Sequence, residues 1–189
     1  MESVYQNIGV PVVMPEFKKR YLYMYKTHMD NVILPELFQD YVPTIKNILK
    51  NIKDKNNVCY ITIDEKHIDH ECHRRPGIHV DYNWYEELND HGGSTHGGHK
   101  NHELVKGGML LVSNYPGCQV YKGQFDGVIG DDGCCKNIDV SNLQSEIMQS
   151  GYVYYINPVG IHESLKIDKE VDRTLIRINF HPEYDFKLK

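Results

Sequence analysis

Apolar side chains recur at three-and-four spacing between residues 34 and 53: Leu34, Leu37, Phe38 and Tyr41, then Ile45, Ile48, Leu49 and Ile52. That period predicts a helix. Pro43 marks a break or a new first turn inside it, and Asp54-Lys55-Asn56-Asn57 closes it with turn residues. Residues 1–32 show no clean period. Phe17 to Tyr25 interleaves aromatics with Lys18, Lys19 and Arg20, a pattern compatible with helix or strand.

Beyond residue 57 the texture changes. Val58-Cys59-Tyr60-Ile61-Thr62-Ile63 is rich in β-branched and aromatic residues and reads as a strand. Gly77-Ile78-His79-Val80-Asp81 reads as a short strand after Pro76. Met109 to Ser113 and Cys118 to Phe125 read as strands around the Pro116-Gly117 turn, and Gly127 to Asn137 is rich in turn residues. Leu143 to Met148 is ambiguous, Tyr152 to Asn157 is a strand, and Arg173 to Phe180 is the last one. The expected architecture is α+β, mainly β: a sandwich or small barrel with N-terminal helices packed outside. The 189 residues suit one domain. Within it, residues 1–57 are expected as helical support, 58–181 as the β core and 182–189 as a tail.

Composition adds exclusions. With 40% hydrophobic and 25% charged residues the chain is globular in type. A net charge of −5 argues against a strongly basic nucleic-acid module. Arg74, Arg75 and Lys100 still offer a local basic rim, so nucleic acid stays open as a partner. No apolar run approaches the roughly 20 residues of a membrane span, and Met1 to Asn7 has no signal-peptide pattern. The expected location is intracellular, cytoplasmic by default, with no membrane partner. The five cysteines are odd in number and form no Cys-x-x-Cys, which favours reduced thiols over a disulfide framework or a zinc ribbon.

The candidate chemistry lies in the histidines. His79 and Asp81 are two apart on an expected strand, so both side chains leave the same face and could meet one metal. Four His-x-acid pairs occur (His28/Asp30, His67/Asp69, His79/Asp81 and His181/Glu183), so the spacing alone singles out none. What separates His79/Asp81 is the sequence downstream. The strand Tyr152 to Asn157 leads through Pro158 to His162, and Arg173 then opens the final strand. On that strand Arg173, Leu175 and Arg177 share one face, and Thr174, Ile176, Ile178 and Phe180 share the other. Two histidines and one carboxylate with open coordination positions form the facial triad of non-heme Fe(II) oxygenases, and an arginine can hold a carboxylate cosubstrate in a charge-assisted pair.

The order His79-x-Asp81, His162, Arg173 resembles the Fe(II)/2-oxoglutarate-dependent oxygenases, whose fold is a double-stranded β-helix of the jelly-roll, cupin-like type. His73-Arg74-Arg75-Pro76-Gly77-Ile78-His79-Val80-Asp81 is similar to the segment leading into that family's first metal ligands. Gly160-Ile161-His162-Glu163-Ser164 is similar to its second-ligand strand, and Arg173-Thr174-Leu175-Ile176-Arg177 to its 2-oxoglutarate strand. The resemblance spans about residues 58–181. It implies Fe(II) on His79, Asp81 and His162, with 2-oxoglutarate chelating the iron and its distal carboxylate on Arg173. Arg177 would be helper or substitute, and O2 the oxidant. The implied activity is hydroxylation of a C–H bond, with release of succinate and carbon dioxide. The substrate stays open among a protein side chain, an amino acid, a nucleobase and another small metabolite.

Competing readings remain at this level. One is a cupin-like metal enzyme that does not use 2-oxoglutarate; another is a non-catalytic β-sandwich binding module. The run from His91 to His102, rich in Gly and His, is expected as a lid over the site rather than a second metal centre. His67, His70, Cys72 and His73 match no strong zinc spacing. Tyr60 and Thr62 are candidates to face the barrel interior.

Overall fold

The computed structural model describes residues 1–82 and 106–189. In chain order it contains β1 (Glu2–Ser3), β2 (Tyr5–Pro11), β3 (Tyr21–His28), a 3-10 helix (Glu36–Tyr41) and α1 (Val42–Leu49). These are followed by β4 (Val58–Asp69), β5 (Met109–Ser113), β6 (Cys118–Gln124), β7 (Gln144–Ile147), β8 (Tyr152–Ile156), β9 (His162–Ser164) and β10 (Glu170–Phe180). The fold is mainly β, and the described residues form two antiparallel sheets. The larger has the order β2-β8-β5-β10-β4-β3. In the smaller, β6 carries β7 on one edge and β1 and β9 on the other. Backbone bridges from His79 to His162 and to Cys134 extend the smaller sheet beyond β9.

Period-two alternation sorts side chains between two apolar layers. On β5 and β10, Leu110, Val112, Ile176 and Ile178 face a core closed by α1. Met109, Leu111 and Leu175 face the smaller sheet, where they pack with Cys118, Val120 and Tyr154. β5 is buried on both faces, hence its unbroken apolar run. From α1, Ile45, Ile48 and Leu49 are wholly buried, each contributing about 1.5–3 kcal/mol. A third layer on the outside of the smaller sheet joins Val80, Tyr121, Cys135 and Ile161.

The N-terminal expectation is corrected. Residues 1–57 are not helical support: they supply β1, β2 and β3, and helical structure is confined to Glu36–Leu49. The β core therefore begins well before residue 58. The reason the pattern was hidden is local. β2 carries a register shift between Asn7 and Pro11, around Gly9 at φ 69°. β3 carries one between Leu22 and Tyr25, around Met24 at φ 48°. Each irregularity inserts residues that break the alternation. Two smaller corrections follow. The Gly77–Asp81 stretch is held by isolated bridges rather than a strand, and β4 runs on to Asp69. All five cysteines are free thiols. Among the described residues no helix is long and apolar enough to cross a membrane.

Candidate metal centre

His79 and His162 are cross-strand neighbours. Each backbone N–H donates to the other's carbonyl at 2.9 Å, so their side chains leave the sheet side by side, ring centroids 4.5 Å apart. Asp81, two residues on, joins them. One ligand atom from each of His79, Asp81 and His162 lies within 4.8 Å of the others, the one such trio among the described residues. Donors about 2.1 Å from a shared ion sit up to about 4.2 Å apart, so small side-chain rotations bring this trio onto one cation. Gly133, at φ 79°, lets the neighbouring turn abut the His79 segment: its carbonyl accepts the Val80 N–H at 2.9 Å, and a Cβ there would lie 2.1 Å from the Val80 oxygen.

The backbone fixes the tautomer of both neutral rings. His79 Nδ1 is 2.7 Å from the Gly77 carbonyl and His162 Nδ1 is 2.9 Å from the Gly160 carbonyl. A carbonyl only accepts, so in the neutral ring Nδ1 carries the proton and Nε2 is left with the lone pair, the tautomer that binds a metal. The two sites share one tripeptide, Gly-Ile-His, at 77–79 and 160–162. The isoleucine packs on the outer layer both times while the glycine carbonyl turns back to the ring. That internal repeat was a legible signal which spacing arguments passed over.

Burial, then repulsion from His162, pushes His79 down to about 4 from 6.5. Burial pushes Asp81 up, but Arg177 and the two histidines outweigh it and hold the carboxyl well below its ordinary value. Between about pH 4 and 6.5 the folded metal-free protein binds fewer protons at His79 than the unfolded chain. The contribution of His79 to stability is therefore complete above about pH 6.5 and falls with pH toward 4, by up to about 1.4 kcal/mol per pH unit. Urea denaturation across this range checks it; a flat profile, or one matched by His79→Asn, contradicts it. Asp81 adds a loss in the same direction at more acidic pH.

A cavity of about 460 Å³ opens over the trio, between the two sheets. Its apolar wall is Met109, Leu111 and Leu175; its polar wall includes His79, Asp81, His162, Arg173 and Arg177. Arg173 is 1% exposed. Its Nε donates to Ser113 Oγ at 2.9 Å and to the Tyr115 carbonyl at 3.3 Å, while Nη1 has no hydrogen-bond partner among the described residues. Gly117 makes room for it, since a Cβ there would stand 3.0 Å from Cζ. Burial lowers the guanidinium's pKa. Arg177, on the same cavity wall, is engaged by the protein: its Nη1 donates to Asp81 Oδ2 at 2.6 Å. At the rim, Arg74 pairs with Asp64 and Arg75 with Asp132.

The other sequence candidates fall apart spatially. His67 pairs with Asp172 and His70 with Asp69 at the surface, while His73 is buried with Nε2 3.2 Å from Asp64. Tyr60 packs on Met24 and Thr62 Oγ1 accepts the Met24 N–H; neither lines the cavity. The run His91–His102 and Lys100 lie outside the described residues. Ser113 and Gly117, which seat Arg173, carried no signal in sequence. Comparison with family models, curated proteins and solved structures finds no match for this chain.

Proposed function

We propose that the chain is an Fe(II)/2-oxoglutarate-dependent oxygenase with a double-stranded β-helix core. Topology supports the fold. From β4 onward the chain alternates between sheets: β4 in the larger, the His79 segment in the smaller, β5 in the larger, β6 and β7 in the smaller, β8 in the larger, β9 in the smaller, β10 in the larger. This gives the orders β4-β10-β5-β8 and His79 segment-β9-β6-β7, two four-membered antiparallel layers wound by one chain.

One observation carries the function: a buried guanidinium, with one donor unpaired among the described residues, shares a cavity with a trio of candidate metal donors. Burying a cation without a matching anion costs several kcal/mol, and a ligand carboxylate would offset that cost. When bound, Fe(II) and 2-oxoglutarate would let O2 act as the oxidant, two of its four electrons coming from oxidative decarboxylation of 2-oxoglutarate and two from the substrate C–H bond that is hydroxylated. The protein's part is placement. His79 Nε2, His162 Nε2 and an Asp81 oxygen would hold the metal and leave coordination positions open. Arg173 Nη1 would take the distal carboxylate in a charge-assisted pair. Met109, Leu111 and Leu175 keep that wall dry, which strengthens the pairing.

The test is an anaerobic visible spectrum of metal-free protein titrated with Fe(II) and then with 2-oxoglutarate. A new charge-transfer band on adding 2-oxoglutarate is the expected result. Fe(II) binding without a band moves the protein to a metal enzyme that does not use this cosubstrate, and absence of metal binding removes the proposal.

A further inference from the structure

We infer that Arg177 is a positioning residue for Asp81, holding its carboxylate so that one chosen oxygen faces the two imidazoles. The inference rests on the metal-site reading above. Each imidazole of the trio is locked by one outer partner, the carbonyls of Gly77 and Gly160. A carboxylate lacks such a built-in lock, because its terminal torsion is broad and two-fold. Arg177 Nη1 supplies one at 2.6 Å from Oδ2, and Oδ2 is the oxygen that lies 3.9 Å from His162 Nε2. Both side chains are nearly buried, 8% and 16% exposed, so the contact is not loosened by water. The arginine stays in place because β10 is paired on both edges at this position, with Thr62 on one side and Leu111 on the other.

Arg173 and Arg177 thus divide the work on one strand face. Arg173 keeps a donor unpaired among the described residues, whereas Arg177 aims its guanidinium at a protein carboxylate. Outer partners of metal ligands typically change metal affinity 10- to 100-fold. They also set how many oxygens a carboxylate offers: pinned through Oδ2, Asp81 presents itself in one orientation, and freed, it can rotate to chelate with both oxygens or swing away.

The test uses two neutral variants, Arg177→Gln and Arg177→Met, with Arg177→Lys as the conservative rescue. Circular dichroism and melting identify which variants fold, and either neutral variant alone is sufficient. Co(II) is titrated into metal-free protein by visible absorbance and by chelator competition. 2-Oxoglutarate binding is measured separately on the Co(II)-saturated protein. The expected result is a roughly 10- to 100-fold loss of Co(II) affinity with a changed d–d band, partial recovery in Arg177→Lys, and little change in 2-oxoglutarate binding. Wild-type Co(II) affinity in a folded neutral variant, with 2-oxoglutarate binding lost instead, overturns the inference and makes Arg177 a cosubstrate anchor. Failure of the wild-type protein to bind Co(II) is a different result: it removes the metal-site reading itself.

Discussion

Replacing His162 with alanine is expected to lower Fe(II) or Co(II) affinity by more than about 100-fold, because loss of a mere outer partner already costs 10- to 100-fold. In the proposed site His162 would supply one of three donors, and two donors do not hold a divalent ion against water. The fold should survive. The pairing that builds this edge is made by the backbone, His79 N–H to His162 O and the reverse, and alanine keeps both bonds. The ring lines a cavity rather than filling a core, so little packing is lost. Calorimetric titration of metal into the variant measures the effect, with exposed His28→Ala as the control expected to bind normally. Stoichiometric, wild-type metal binding by His162→Ala would falsify the site.

The second large effect is at Arg173, and it runs in two directions. Arg173→Met is expected to weaken 2-oxoglutarate binding by about 30-fold to several thousand-fold, the consequence of truncating one member of a buried charge pair. The same change should stabilise the ligand-free protein by at least about 1 kcal/mol, because it removes a buried cation whose Nη1 has no partner among the described residues. For a chain of this size that raises the melting temperature by about 2–4 °C. The hydrogen bonds left behind are not orphaned. Ser113 Oγ still donates to the Tyr115 carbonyl and still accepts the Tyr115 N–H. A purely structural arginine predicts the reverse: a lower melting temperature and unchanged 2-oxoglutarate binding. Differential scanning calorimetry together with the binding titration separates the two.

The legible parts of this chain are those whose physics is local. The helix around Ile45, Ile48 and Leu49 follows from three-and-four spacing, and β4, β5, β6, β8 and β10 follow from β-branched and aromatic runs bounded by turns, whereas the polar β7 and the three-residue β9 carry no such run. His79 and Asp81 were readable as a same-face pair because two residues is the strand period. β2 and β3 were not readable. Their bulges erase alternation, and what makes them strands is pairing with β8 and β4, far along the chain. The alternation on β10 separated Arg173, Leu175 and Arg177 from Ile176 and Ile178, and the structure puts the first set on the cavity and the second in the core.

By itself the sequence determined the residue types, their periods and their order: a mainly β chain, two Gly-Ile-His tripeptides, and two arginines on one strand face. Tertiary structure alone decided which distant pairs meet. Cross-strand pairing brings His162 beside His79 across more than eighty residues. Register places Arg177 on Asp81, and packing leaves Arg173 buried with one donor unpaired among the described residues. The reason is physical. Local periodicity says which way a side chain points along its own strand, but its charge partner, its burial and its proton depend on strands whose neighbours are chosen by the pairing of the whole sheet.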